Sequence, residues 1–184
     1  MPNARPNVMP LVCKWFQNKN TEDIKSILDV GCGFGKWGFL ARLYIQAWNP
    51  EITKEVYQNW RNNLRVDAIE IFEGYITDLQ RLIYNNIYMG DMRKLIEEVG
   101  DYDLIIMGDV LEHIPLEDGL EFLKKAKAKA KWTIISMPDY FCKNNPIMGN
   151  MAEVHCYVWS DGEFPDSPKI RRAGNQRVII YEET

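Results

Sequence analysis

Histidine is scarce in this chain of 184 residues, which carries only His113 and His155. Imidazole chemistry therefore has two addresses. The four cysteines, Cys13, Cys32, Cys142 and Cys156, form no CxxC pair and no Cys/His cluster at zinc spacing. They read as reduced thiols, and with no secretory leader legible in the sequence the expected compartment is cytoplasmic. No apolar run approaches the ~20 residues that span a bilayer. Basic charge is not in excess either: 22 Lys and Arg against 26 Asp and Glu leave a net charge of −4, which argues against nucleic acid as a partner. There is no internal repeat and no composition shift that would mark a domain boundary.

What is present is ordinary for a globular protein, 46% hydrophobic and 26% charged residues. The length suits one domain over 1–184. Val8, Leu11, Val12, Trp15 and Phe16 recur at helical spacing and predict a helix over the sheet edge or the pocket, within a lead segment 1–23. Ile24 to Val30 reads as a first strand, and Trp37 to Ala47 as a helix with Leu40, Leu43, Tyr44 and Ala47 on one face. An extra helix is expected within 48–65, carrying Val56, Tyr57, Trp60 and Leu64; covering the active site, a homodimer contact and plain packing are all open to it. Further strands are expected at 65–71, 87–90, 103–107 and 132–137, with helices at 79–85 and 92–99 and one from Pro115 to about Ala130. The run Asp103-Leu104-Ile105-Ile106-Met107 is continuously apolar after its acid, as in a parallel strand covered on both faces. Lys169 to Arg172 and Arg177 to Tyr181 read as an antiparallel hairpin. Five βα units and a hairpin point to a doubly wound α/β sheet, whose ligands bind beyond the carboxyl ends of the strands.

The organising stretch is Ile27-Leu28-Asp29-Val30-Gly31-Cys32-Gly33-Phe34-Gly35, a strand running into a glycine turn and then a helix. That device brings bare backbone and free N–H groups up to a nucleotide-like ligand. Two ligand classes use it. Gly33-Phe34-Gly35-Lys36-Trp37-Gly38 satisfies GxGxxG and Glu70 ends the second strand, so a nicotinamide-dependent oxidoreductase stays open. A phosphate-binding P-loop does not, because GK[ST] is absent. Against a dinucleotide, Asp29 lies where that fingerprint asks for apolar residues, and an acid there repels a pyrophosphate but suits a sulfonium and an ammonium. Asp91 ends the third strand, and Gly108-Asp109-Val110-Leu111-Glu112-His113 follows the fourth.

With these pieces in place, Ile27 to Gly35 resembles the first motif of the class I S-adenosylmethionine (SAM)-dependent methyltransferases. Glu70, Asp91 and Asp109 to His113 fall where that family has its later motifs, and the resemblance covers roughly residues 24 to 138. It implies a mostly parallel seven-stranded Rossmann-like sheet ending in an antiparallel hairpin, with SAM as cofactor. It further implies that Gly31, Cys32, Gly33 and Gly35 approach the methionine part and that Asp29 helps to hold its amino group. Glu70 would take the ribose hydroxyls, Ile71 the adenine face, Asp91 and the Met92 N–H the adenine edge. Met107 and Gly108 would close the pocket near the methyl.

Transfer from a sulfonium is an in-line displacement, so the protein's share is positioning and removal of a proton. Asp109, His113 and His155 are the candidate catalytic residues. Tyr140, Trp159 and Phe164 are candidates for a substrate wall or for core. Asp109, Glu112 and His113 as metal ligands suffer from adjacency in sequence, and no metal is expected. The expected acceptor is a small molecule. Asn-Pro-Pro-Tyr, which would mark amino methylation of DNA bases or glutamine, is missing, and Met107-Gly108-Asp109-Val110 stands at that strand end. A non-catalytic SAM-binding protein of the same fold is the remaining alternative.

Overall fold

The structure is a computed structural model, and it describes residues 6–19, 23–47, 63–140 and 145–182. Seven strands form one sheet in the order β3-β2-β1-β4-β5-β7-β6. They are β1 (Ser26–Val30), β2 (Arg65–Glu70), β3 (Ile87–Met89), β4 (Tyr102–Gly108), β5 (Ala130–Pro138), β6 (Lys169–Ala173) and β7 (Gln176–Glu182). β1 to β5 run parallel, and β7 lies antiparallel between β5 and β6. The order reverses between β1 and β4, which is where a doubly wound sheet opens a crevice.

Strand periodicity sorts the core into two layers. Ile27, Val66, Ala68, Leu104, Ile106 and Ile134 face one side, under α1 (Met9–Gln17) and α2 (Lys36–Ala41). Leu28, Val30, Ile69, Ile105, Met107 and Ile135 face the other, under α4 (Met92–Glu98) and α5 (Leu116–Ala128). The continuous apolar run of β4 is thus buried on both sides, as its composition requires. α3 (Asp78–Ile83) begins at a Thr77 cap, whose hydroxyl accepts the Leu79 N–H while Gln80 Oε1 accepts the Thr77 N–H. α1 packs Val12, Trp15 and Phe16 into the first layer, and Pro6 of its lead-in lines the pocket.

Several boundaries and faces depart from the expectation. The helix after the glycine turn changes at Arg42 to π geometry, continuing to Ala47. The wider turn rotates the inward face onto Ala41, Arg42, Ile45 and Gln46, leaving Leu43 38% exposed. Buried Arg42 donates to the carbonyls of Ile83 and Leu64 and to Asn85 Oδ1, tying this helix to β2 and the end of α3. Of Ala47 only the backbone is described. The helix after Pro115 stops at Ala128, and Ala130 already belongs to β5. The lysines at its end are mostly partnered: Lys125 with Glu97 and Glu121, Lys127 with Asp166, and Lys131 with Asp103. The helix expected within 48–65 falls on residues outside those described, apart from its end, where Leu64 is fully buried.

Candidate functional site

The register of the parallel strands sets their carboxyl ends level: Val30 pairs with Ile69 and with Met107, and Glu70 with Met89. Beyond these ends lies a cavity of about 730 Å³. Gly31, Gly33, Glu70, Ile71, Asp91, Met92, Gly108, Asp109, His113 and His155 all line it, and Glu112 joins them. Of the expected site residues, Asp29, Cys32, Gly35 and Met107 are not on its wall.

Asp29 lies one residue short of the strand end and points to the α2 side, where it is fully buried. Its Oδ2 accepts the Gly38 N–H at 3.0 Å and the Tyr84 hydroxyl at 2.5 Å. It therefore clamps the glycine turn from beneath, and the direct contact with a cofactor amino group is not the geometry found. Burial outweighs both hydrogen bonds and pushes its pKa up to about 7. The same clamp explains Gly38: a Cβ there would stand 2.3 Å from the Tyr84 ring. Gly31 adopts φ +68°, and a Cβ would meet Val110 at 2.7 Å, so this turn needs glycine on two counts. Cys32 is buried, and burial pushes its thiol far up, which leaves a small filler without redox character.

Glu70 joins turn and strand. Its Oε2 accepts the Gly33 N–H, and its Oε1 accepts the N–H groups of Ile71 and Phe72, all at 2.9 to 3.0 Å. Three of about four acceptor positions are filled, so one is left toward the cavity. Burial nevertheless raises its pKa. Asp91 caps α4 by accepting the Arg93 N–H, and the Arg93 guanidinium grips both its oxygens at 2.6 to 3.1 Å. Those bonds lower its pKa. An adenine amino group arriving here has to share this carboxylate with Arg93, a partner two residues away that no strand-end rule anticipates.

The other half of the cavity is built differently. The chain leaves β4 through Asp109 at φ +56°, a left-handed conformation uncommon outside glycine and found at strained functional positions. A single 3₁₀ turn, Leu111–His113, follows. The Glu112 carbonyl accepts the N–H groups of Cys156 and Tyr157, and the Trp159 indole donates to the Leu111 carbonyl. These bonds bring His155 onto His113, ring centroids 4.7 Å apart and nearly perpendicular. Glu112 is 3% exposed, and among the described residues neither carboxylate oxygen has a hydrogen-bond partner and Nδ1 of His113 is buried without one. Burial, with the Asp109 charge beside it, drives the Glu112 pKa well up, and burial lowers that of His113. Opposite, the Tyr75 hydroxyl donates to Glu153 Oε1 and the Ile147 carbonyl, latching the segment after β5 across the cavity. Tyr75, Glu112 and Glu153 are site residues that motif reading did not name for catalysis or cofactor. Glu112 was visible in the motif, whereas Tyr75 and Glu153 carry no local signal. Trp159 and Phe164, stacked at 5.1 Å, are core, and Tyr140 is not on the cavity wall.

The cavity fits SAM on its chemistry. Glu70, Asp91, Asp109, Glu112 and Glu153 line it against Arg93 as the one lining Arg or Lys among the described residues. That balance favours a cationic sulfonium and ammonium over a pyrophosphate. Gly31 and Gly33 bring backbone without side chains to the wall, their N–H groups given to the Ile69 carbonyl and to Glu70 Oε2, and Ile69 and Ile71 add an apolar wall.

No protein-family model and no curated protein matches the chain. Solved structures do. Magnesium protoporphyrin IX methyltransferase (ChlM) from Synechocystis PCC 6803, with S-adenosylhomocysteine (SAH) bound, matches with TM-score 0.64 at 16% identity, over 96% of this chain and 82% of that one. PigF with SAH matches with TM-score 0.59 at 18% identity, over 95% of this chain. An O-methyltransferase family protein from Burkholderia thailandensis matches with TM-score 0.61 at 12% identity, over 96% of this chain. The chain spans 61% of the length of PigF and 56% of that of the Burkholderia protein. No helix among the described residues is long and apolar enough to cross a membrane. With its strand order, its antiparallel end and these neighbours, the chain has the Rossmann-like fold of the class I SAM-dependent methyltransferases.

Proposed function

We propose that the protein is a SAM-dependent methyltransferase acting on a small-molecule acceptor. The observation that carries this reading is the convergence of four strand ends on one acid-lined cavity. Its volume of about 730 Å³ is in the range of a complete ligand site. On the cofactor side, Gly31 and Gly33 approach the methionine part and Glu70 offers its remaining acceptor position to the ribose. Ile71, Asp91 and the Met92 N–H surround the adenine, and Gly108 borders the methyl. Asp29, Cys32, Gly35 and Met107 serve from behind by shaping the turn and the strand ends. The cofactor supplies an electrophilic methyl group. The acceptor lies against Asp109, His113 and His155, which orient it and take its proton. A nicotinamide dinucleotide would bring its pyrophosphate among the acids of the cavity, with Arg93 as the one lining Arg or Lys among the described residues to offset them.

The test is transfer of a labelled methyl group from SAM to a panel of small hydroxyl, amine and thiol acceptors. Activity that falls by about 100-fold in His155→Asn, with SAM affinity retained, supports the reading. Binding of SAM with no transfer to any acceptor in the panel supports the non-catalytic alternative.

A further inference from the structure

The cavity holds a second, unassigned cluster. One ligand atom from each of Glu112, His113 and His155 lies within 4.8 Å of the other two. Whatever the shape of that triangle, a point exists within about 2.8 Å of all three atoms, against metal–ligand bonds of about 2.0–2.2 Å. Side-chain adjustments below an ångström would close the difference. Adjacency of Glu112 and His113 in sequence, the ground for expecting no metal, is overcome locally: both belong to the single 3₁₀ turn and both reach the cavity. His155 is delivered by the two backbone hydrogen bonds onto the Glu112 carbonyl.

An independent feature points the same way. Glu112 is 3% exposed, lines the cavity, and has no donor on either oxygen among the described residues, while His113 Nδ1 is buried and unpartnered among them too. Buried carboxylates in folded proteins are paired, hydrogen-bonded or bound to a cation. On the cofactor side Asp29, Glu70 and Asp91 each accept hydrogen bonds on at least one oxygen; among the described residues Glu112 accepts none on either. Two imidazoles and one carboxylate, with positions open toward a cavity, suit a first-row divalent ion such as Zn²⁺, Co²⁺ or Mn²⁺ and are a poor match to the all-oxygen preference of Mg²⁺ or Ca²⁺.

We infer that Glu112, His113 and His155 bind a divalent first-row metal ion whose open positions face the methyl acceptor. The role at the acceptor rests on the methyltransferase reading above; the binding of the ion does not. A hydroxyl bound to such an ion becomes more acidic. Its O–H bond breaks with the proton passing to Asp109, the one of the three candidate catalytic residues that is not a ligand. The oxygen then forms its bond to the methyl carbon as the carbon–sulfur bond breaks, and the thioether leaves uncharged.

Co²⁺ is the probe, titrated into the metal-stripped chain with calorimetry and visible absorption as readouts. The expected result is one ion per chain with a d–d band, an affinity lowered by at least about 100-fold in Glu112→Gln and in His155→Ala, and unchanged SAH binding in both. X-ray absorption on the unsubstituted cobalt-loaded chain adds a readout that needs no variant, with imidazole scattering expected. Absence of saturable Co²⁺ binding, binding indifferent to both substitutions, or a cobalt shell without imidazole would each overturn the inference. Cobalt bound in the expected way by a chain that ignores SAH would leave the metal site standing and remove the methyltransferase reading.

Discussion

The two halves of the cavity treat their most deeply buried lining acids, Glu70 and Glu112, in opposite ways. On the β1–β3 side Glu70 is held by Gly33, Ile71 and Phe72 and Asp91 by Arg93, while behind the wall Asp29 is held through Oδ2 by Gly38 and Tyr84. On the β4–β5 side Glu112 is as deeply buried as Glu70 yet has no partner on either oxygen among the described residues. The first arrangement builds a rigid cradle whose shape is fixed before anything binds. The second leaves both Glu112 oxygens and His113 Nδ1 without partners among the described residues, where Asp109 in its left-handed conformation and two imidazoles also gather.

Substitutions should separate the halves by their effect on stability. The largest effect is expected for Gly38→Ala, because the added Cβ would drive into the Tyr84 ring at 2.3 Å and break the clamp on Asp29. Overpacking of this kind costs about 3 kcal/mol, read as a lower urea midpoint at unchanged slope. Glu70→Ala comes next. It strands the N–H groups of Gly33, Ile71 and Phe72, at a cost of about 2 kcal/mol, and loosens SAH binding, whereas Glu70→Gln recovers part of both.

Asp29→Asn tests the cradle through pH. Burial raises the Asp29 pKa from 3.8 to about 7, so the folded state favours its protonated form. That contribution is full below the unfolded value and is lost as pH rises through about 7. The unsubstituted chain should therefore lose stability between these limits with a slope of up to about 1.4 kcal/mol per pH unit from this group. Asn, which keeps an acceptor oxygen and cannot ionise, should flatten that slope, measured by urea unfolding from pH 4 to 8. The smallest effect is expected at Glu112→Gln: stability within about 0.5 kcal/mol of the original, because no hydrogen bond is lost, with methyl transfer abolished. A loss of stability there as large as at Glu70 would erase the distinction between the halves.

The cradle was more legible than the chemical half, for a physical reason. Strand, glycine turn and helix are local in sequence, and acids at successive strand ends fall at one edge of any parallel sheet, so the wall formed by Gly31, Gly33, Glu70 and Asp91 follows from short-range patterns. Asp29 was legible as important but not in its direction. It alternates with Leu28 and Val30, so it had to share a face with Ile27, under α2. Arg42 was hidden because a π segment obeys neither helical nor strand period. The meeting of His113 with His155 was out of reach, since it depends on backbone hydrogen bonds between a 3₁₀ turn and an irregular segment after β5. No residue pattern near either histidine encodes it.

The most direct test of the central claim is calorimetric titration of the purified chain with SAH and, separately, with NAD. The account predicts saturable binding of SAH at one site per chain, weakened by Glu70→Ala, and no binding of NAD. Binding of NAD without SAH would contradict it, and the acid-lined cavity would then need a different ligand.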